Sequence, residues 1–324
     1  MSAPRSVLVT GAYGMLGGWL TKALLDRGDR VTVLKRDDVP GSLLALEDVE
    51  RRCSVVHGDL IDPGLIDRAI GEHEVDTVFH LAAQTIVGTA SRSPLSTWES
   101  NVRGTYLLME ACRTQQVARV VVASSDKAYG AHERLPYTED MALQPTFPYD
   151  VSKAATDLIA RSYWHTYGVP VATTRFANLY GGGDRNRSRL VPEAIAAALA
   201  GRAPVIRSGG TPERDFLYVE DAAAAYLAIA DALDETDPAR TARGHAFNAG
   251  GDTPHSVLEV VELVCRLAGT DVEPDVRGTG TPDGEIDRQY VDSTKLRERT
   301  GWRPEVGLEE GLRRAIAWYR QHGS

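Results

Sequence analysis

The stretch that most restricts the fold lies at the N-terminus. A short apolar run, Val7-Leu8-Val9, passes into Thr10-Gly11-Ala12-Tyr13-Gly14-Met15-Leu16-Gly17 and then into a helical pattern through Trp19, Leu20, Ala23, Leu24 and Leu25. In this strand, glycine turn and helix, Gly11 permits the tight turn, Gly14 lets the backbone approach a pyrophosphate, and Gly17 lets helix and sheet pack closely. The glycine pattern alone also describes a plain strand-to-helix turn. Its position between a strand and a helix points to dinucleotide binding.

A second strand, Arg30 to Leu34, ends at Lys35-Arg36-Asp37-Asp38, where the ribose-reading residue is expected. An acid there suits the 2′-hydroxyl of NAD and a base the 2′-phosphate of NADP, so the cue is mixed. Next, Val55-Val56-His57-Gly58-Asp59-Leu60 reads as a strand and turn. Asp59 is placed either to accept from the adenine amino group or to cap the following helix, since Asp62-Pro63 also resembles a helix start. The fourth strand, from Asp76, carries His80 as a buried, hydrogen-bonded residue. It runs into Leu81, Ala82, Ala83 and Gln84, small enough in part to let a cofactor lie against the backbone.

From Pro94 to about Gln116 the apolar spacing predicts one long amphipathic helix with Asn101 in its middle, either a polar link to a site or a solvated position. A buried strand, Val120 to Ala123, then delivers a hydroxyl, a carboxylate and an ammonium in succession as Ser125, Asp126 and Lys127. The loop Leu135 to Asp140 is placed to overhang them. Tyr149 precedes Lys153 by one helical turn, so both share a face, and these groups supply the parts of a proton-handling site. A further strand spans Val169 to Asn178.

The alternation predicts an α/β fold, a Rossmann-type doubly wound parallel sheet with ligands at the strands' carboxyl ends, followed by a smaller C-terminal α/β substrate-binding domain. The expected division is 1–180 for the dinucleotide-binding domain and 181–324 mainly for substrate. A segment near 215–250 returns to the first part, with the Arg214 to Asp221 stretch opening a helix. Alanine-rich stretches near 194–200 and 222–232 read as helix interiors.

A net charge of -9 gives no support to a nucleic-acid or membrane surface, and local arginines must meet any anionic ligand. Cys53, Cys112 and Cys265 lack metal spacing and read as reduced core thiols. With no signal-like or span-length apolar segment, a cytoplasmic protein is expected.

The chain resembles the extended short-chain dehydrogenase/reductases, in particular the nucleotide-sugar epimerase/dehydratase group. The resemblance rests on Thr10-Gly11-x-x-Gly14-x-x-Gly17, Gly58-Asp59-Leu60, His80-Leu81-Ala82-Ala83, Asn101, Ser125 and Tyr149-x-x-x-Lys153. It continues through Arg175-x-x-Asn178-x-Tyr180-Gly181 and Arg214-Asp215-x-x-Tyr218-Val219-x-Asp221. It implies Tyr149 as acid/base on a sugar hydroxyl, Lys153 as the cation that lowers its pKa and holds the nicotinamide ribose, and Ser125 as a hydrogen-bonding partner of the sugar oxygen. The cofactor, NAD or NADP, would be held by Gly11, Tyr13, Gly14, Met15, Leu16, Gly17, Lys35, Arg36, Asp59, Leu60, Leu81, Ala82, Ala83, Asn101, Tyr149 and Lys153. The nucleoside-diphosphate sugar would be held by Gln84, Ser125, Asn178, Leu190, Val191, Arg214 and Arg288, with a surface ion pair as the other reading of Arg288. No metal site is expected. A homodimer built from the helices around 94–116 and 149–168 is implied as well.

The resemblance leaves two reactions open. A 4-epimerase needs Ser125, Tyr149 and room for the keto sugar to turn. A 4,6-dehydratase also needs an acid for the C6 hydroxyl and a base for the C5 proton. Asp126-Lys127 stands where many dehydratases carry Asp-Glu or Thr-Glu. It is similar to the Asp-Lys variant of CDP-glucose and some UDP-N-acetylglucosamine 4,6-dehydratases, and Gly17-Gly18-Trp19-Leu20 also resembles the CDP-glucose enzymes. The dehydratase is the preferred expectation. A non-catalytic dinucleotide sensor would need the glycine turn but not the Ser-Tyr-Lys set.

Overall fold

The computed structural model describes residues 4–281 and 286–323. The strands in chain order are β1 (Ser6–Thr10), β2 (Arg30–Lys35), β3 (Ser54–His57), β4 (Thr77–His80), β5 (Arg119–Ala123), β6 (Val171–Phe176) and β7 (Asn178–Tyr180). They continue as β8 (Val205–Ile206), β9 (Glu213–Tyr218), β10 (Ala246–Ala249), β11 (Pro254–Ser256), β12 (Asp275–Val276) and β13 (Arg288–Gln289).

Among the described residues, seven strands form a parallel sheet in the order β10-β6-β5-β4-β1-β2-β3. Chain direction across the sheet reverses between β1 and β4, and a crevice opens at such a switch point outside the strands' carboxyl ends. Thr10 is in register with Leu34 on one side and His80 on the other, so the glycine turn leaves the sheet at the switch point. Continuous runs such as Val7-Leu8-Val9 and Val120-Val121-Val122 are wholly buried, as strands covered on both faces require.

Helices Met15–Arg27 and Val219–Ala232 cover one face through Leu20, Leu24, Ala222, Ala225 and Ile229. The other face packs on Ile66, Leu108, Met109 and Ala160 of helices Leu65–Glu72, Gly104–Thr114 and Pro148–Tyr167. The alanines of Val219–Ala232 allow its close approach to the sheet.

A smaller layer surrounds β9. Strand β11 runs antiparallel along one edge, while β13 and then β7 run parallel along the other. Ile195, Val260, Val264 and Ile316 of helices Leu190–Leu199, Val257–Ala268 and Leu308–His322 fill its core. The C-terminal helix also reaches back, its Trp318 Nε1–H donating to Glu47 and its Tyr319 hydroxyl to the Asp184 carbonyl at 2.7 Å.

Three expectations change. The stretch from Arg214 does not open a helix: Arg214 to Tyr218 belongs to β9 and the helix starts at Val219, because the side chains alternate between two buried faces with a period of two. The predicted strand to Asn178 divides at Ala177, whose N–H bonds to the Ala249 carbonyl while Asn178 starts pairing with Phe216. The helix expected over 94–116 contains a π turn at Trp98–Arg103, flanked by α turns at Pro94–Thr97 and Gly104–Thr114. Such turns free a backbone carbonyl, and the Asn101 carbonyl accepts from the hydroxyls of Thr105 and Thr156.

Candidate active site

At the switch point Gly11 has a φ of +77°, and a Cβ there would lie 2.6 Å from the Ala82 nitrogen. A Cβ on Gly17 would lie 2.1 Å from the Gly11 carbonyl oxygen. Backbone thus occupies the space of both side chains. Gly14, the N-cap of Met15–Arg27, meets only the Gly11 oxygen, and the helix has no acid in its first turn. The Gly14 N–H is taken by the Gly11 carbonyl at 3.1 Å, but the first helical N–H groups lack intrahelical acceptors, so the cradle fits a diphosphate offered to the backbone of Met15 and Leu16. The Met15 side chain itself is buried against the smaller layer.

At the end of β2, Lys35 bonds to Asp38 at 2.9 Å and Glu50 at 3.2 Å, its ammonium 5.4 Å from the centre of the Tyr13 ring. Arg36 is exposed and pairs with Asp37 at 2.7 Å. Both basic cues for a 2′-phosphate therefore already face carboxylates. The carboxylate of Asp59 accepts from the Ile61 N–H at 3.2 Å, and Asp62 accepts from the Asp59 N–H at 2.8 Å. Helix Leu65–Glu72 begins at Gly64 without a side-chain cap, so the helix-cap reading of Asp59 is set aside. Leu60 packs beneath Gly104.

Behind Leu81 to Gln84 lies a buried relay. The Ala82 N–H donates to Thr10 Oγ1, which contacts His80 Nδ1 at 2.8 Å, while His80 Nε2 contacts Thr105 Oγ1 at 3.1 Å. Because the Thr105 hydroxyl donates to the Asn101 carbonyl, it accepts from His80, and the proton is assigned to Nε2. Burial, then the charge of Lys153, holds this imidazole down to about 3. Asn101 accepts the Gln84 N–H at 2.7 Å and donates to the Gln84 carbonyl at 3.1 Å and the Ser152 hydroxyl at 2.9 Å. It is a polar link that fixes the 81–84 backbone, and the solvated reading does not apply. The Gln84 side chain bonds to the backbone of Ile86.

The chemical centre forms where β5 ends. The Ser125 hydroxyl donates to Asp126 at 3.0 Å and accepts the Lys127 N–H at 3.2 Å, capping a short 3₁₀ turn. The Tyr149 phenol faces that hydroxyl from the first turn of Pro148–Tyr167. One turn on, Lys153 donates to the Ala123 carbonyl at 3.0 Å, and Ser124 returns a bond to the Lys153 carbonyl at 2.9 Å. Burial pushes Tyr149 up to about 12 against the pull of Arg189, with Asp126 and Asp150 raising it further. Burial alone brings Lys153 down to about 8. Asp126 is 4% exposed, and burial lifts it to about 6 against the pull of Lys127, Ser125 and Arg214. Its Oδ2 is buried and has no hydrogen-bond partner among the described residues. Lys127 is only half-buried, facing Asp126 and Asp150.

Of the substrate candidates, Asn178 donates to the Asp215 carbonyl at 3.4 Å, and Leu190 and Val191 open helix Leu190–Leu199. Arg214 is buried, bonds to the Glu213 and Asp287 carbonyls, and faces Asp126. Arg288 sits in an exposed ion pair with Glu213 at 2.7 Å, the surface alternative named for it. The overhanging loop is pinned: the Tyr137 N–H donates to the Tyr290 carbonyl, and the Tyr137 carbonyl accepts from the Asp292 N–H.

Sequence reasoning missed three features. Arg189 reaches Thr85 and Asp184 from the loop after β7. Asp215 is buried beside Asp126 and lifted to about 7, first by burial, although its place after Arg214 in the motif was a signal. Beneath the 3₁₀ turn, fully buried Arg175 forks onto Asp157 with two bonds of 2.9 Å and donates to the Tyr129 hydroxyl at 3.0 Å. Tyr129 in turn donates to Asn248, which donates to Glu139 and to the Tyr137 carbonyl.

A parallel sheet with a glycine cradle at its switch point is a dinucleotide-binding fold, and Ser125 facing a Tyr149–Lys153 turn beside it is the arrangement of the extended short-chain dehydrogenase/reductases. The chain belongs to the GDP-mannose 4,6 dehydratase family, whose model matches residues 8–315. It is 32% identical to a dTDP-glucose 4,6-dehydratase of Xanthomonas campestris, over 96% of this chain and 92% of that protein. It is 28% identical to a trifunctional UDP-glucose 4,6-dehydratase of Arabidopsis thaliana, over 98% of this chain but only 48%, about half, of the plant protein. The dTDP-glucose 4,6-dehydratase of Streptomyces venezuelae, solved with NAD bound, superposes with a TM-score of 0.86 at 30% identity, over 97% of each chain. The UDP-glucose 4-epimerase of Thermotoga maritima, solved with UDP-glucose, gives 0.88 at 27%, over 97% of this chain and 98% of that one.

Proposed function

We infer that this chain is an NAD-dependent nucleotide-sugar 4,6-dehydratase, a lyase acting on a nucleoside-diphosphate hexose. The observation that carries this reading is Asp126: a buried carboxyl lifted to about 6, next to Ser125, with one oxygen unpartnered among the described residues. A simple epimerase has no use for such an acid. Residues 1–180 with the returning 215–250 segment hold the dinucleotide, and 181–324 mainly hold the sugar nucleotide.

The glycine cradle and the backbone of Tyr13 to Gly17 hold the NAD diphosphate, with Lys153 and Tyr149 at the nicotinamide end. Bound there, NAD supplies oxidation at C4 of the sugar and the later reduction at C6. Tyr149, facing Ser125, removes the C4 hydroxyl proton, and Lys153 stabilises the phenolate by its charge. The new ketone acidifies C5–H. Lys127 removes that proton while Asp126 gives its own to the departing C6 hydroxyl, so water leaves across C5–C6. Arg214 and Asn178 orient the sugar nucleotide, the guanidinium suiting phosphate oxygens.

The test is incubation with UDP, CDP, GDP and dTDP hexoses, with mass spectrometry and solvent deuterium. A 4-keto-6-deoxy product with deuterium at C5 is expected. Formation of a C4 epimer alone, without deuterium, would select the 4-epimerase, the reading favoured by half-buried Lys127. The same panel assigns the base, on which the dTDP and UDP relatives and the CDP-like Asp126-Lys127 pair differ.

Leu95 and Leu158 are 69% and 57% exposed on the helical run from Pro94 and on Pro148–Tyr167, which supports a homodimer through those helices. Light scattering at a monomer mass would refute it. The free thiols of Cys53, Cys112 and Cys265 support a cytoplasmic setting.

A further inference from the structure

The 3₁₀ turn Asp126–Tyr129 carries both groups assigned to elimination, and its two ends are anchored in different parts of the molecule. At the front, the Ser124 N–H donates to the Thr174 carbonyl of β6 at 2.8 Å, and the Ser124 hydroxyl to the Lys153 carbonyl at 2.9 Å. Ser125, which serves oxidation, adjoins this anchor. At the far end the tie is a side chain. The Tyr129 hydroxyl donates to Asn248 Oδ1 at 2.8 Å and accepts from Arg175 at 3.0 Å. Asn248 lies beside Arg175 in the register of β10 on β6, and Tyr129 and Asn248 are wholly buried.

Asn248 also holds the overhanging loop. Its Nδ2 donates to the Tyr137 carbonyl at 2.9 Å, and its backbone N–H to the Glu139 carboxylate at 2.8 Å. Tyr137 in turn stacks on Tyr129 with 4.8 Å between ring centres, and its hydroxyl donates to the Gly130 carbonyl at 2.7 Å. One buried residue therefore bonds both to the end of the turn and to the loop.

We propose that Asn248 is a positioning residue for elimination, an amide that fixes Asp126 and Lys127 by tying Tyr129 and the 137–139 loop to β10. Asparagine suits this task because its amide accepts on one atom and donates on the other, without adding a charge beside Arg175 and Glu139. A turn tied only at Ser124 would let its acid and base shift while Ser125 stayed in place, and misplacement by about 1 Å costs about 100-fold in rate.

The inference rests on the dehydratase reading, so product identity and step rates are read separately. NAD-loaded protein is mixed in a single turnover with dTDP-glucose, or with the hexose of the panel that turns over fastest. Absorbance of the reduced nicotinamide follows oxidation at C4, and mass spectrometry follows 4-keto-6-deoxy product and deuterium at C5. In Y129F and N248A, oxidation should stay within about twofold while elimination and C5 exchange fall together by about 10- to 100-fold, so reduced nicotinamide accumulates. D126N should spare C5 exchange, so joint loss marks displacement of the whole turn. Y129F keeps the ring stack and decides alone should N248A not fold. V264A, a truncation in the core of the smaller layer, is the control for stability loss and should leave the ratio of the two steps at its wild-type value. Equal slowing of oxidation and elimination in Y129F, no change in either, or the same shift of ratio in V264A overturns the proposal. A wild type that gives only a C4 epimer removes the dehydratase reading and the proposal with it.

Discussion

The Ser125 hydroxyl donates to the Asp126 carboxylate at 3.0 Å, so the hydroxyl beside Tyr149 and the buried acid share one hydrogen bond. In the mechanism proposed above, oxidation at C4 and elimination at C6 would draw on adjacent groups of one 3₁₀ turn. The turn is held from below by Tyr129, and through it by Arg175 and Asn248.

Removing the acid should separate elimination from C5 exchange. D126N keeps a hydrogen-bond acceptor for Ser125 but cannot protonate the leaving hydroxyl, so 4-keto-6-deoxy product should fall by about 10²–10⁴-fold. Deuterium exchange at C5 needs only the ketone and Lys127, and should persist in recovered sugar. Y149F should abolish both. Product formation by D126N within about twofold of wild type would remove Asp126 from the mechanism.

Gly17→Ala places a methyl where the Gly11 carbonyl oxygen would be 2.1 Å away, and both groups are backbone-bound. Relief requires the helix to move off the turn. A loss of about 1–3 kcal/mol is expected, as for other overpacked sites, together with loss of NAD retained through gel filtration. Gly14→Ala meets only an ordinary contact at 3.4 Å, and should lose cofactor affinity with little change in melting temperature.

These two glycines mark how far local sequence reaches. Their roles follow from a strand, a turn and a helix within a dozen residues, and the parallel sheet follows from repetition of that unit. Asp59 was ambiguous because adenine acceptor and helix cap ask for the same carboxylate, and only the backbone showed that Gly64 occupies the cap. The Arg214 to Tyr218 strand escaped notice because both of its faces are buried, which removes the polar alternation that marks strands. Arg189 with Thr85, and Arg175 with Tyr129 and Asn248, join residues 46 to 119 positions apart. No spacing rule links partners at that separation.

Arg175→Met should be strongly destabilising. Arg175 and Asp157 are both essentially unexposed, and the fork satisfies a carboxylate that has no route to water. Breaking a buried pair from one side costs about 3–5 kcal/mol, lessened here by the Thr173 hydroxyl at 2.8 Å and the Arg161 guanidinium at 3.6 Å, which stay on the Asp157 carboxylate. The double variant R175M/D157L should recover part of that loss in urea unfolding. Any activity deficit remaining in the double variant would report the Tyr129 bond, and with it the placement of Asp126.

Stability should depend on pH from two directions. Asp126, Asp150 and Asp215 are raised to about 6, 6 and 7 by burial, so the fold binds their protons more tightly than the unfolded chain does. Their contribution is complete below the unfolded value of about 3.9 and is lost as pH rises through those folded values. His80 has the opposite sign. Held down to about 3, it favours the fold above its unfolded value of about 6.5, and that contribution is lost as pH falls towards 3. Asp215 offers the cleanest test, since its carboxylate accepts the Gly251 N–H at 2.7 Å and an amide oxygen could do the same. D215N should gain stability relative to wild type between pH 5 and pH 8, on the order of a few kcal/mol. Urea unfolding across that range measures the difference. A constant offset at every pH would mean that Asp215 does not change its protonation in the fold.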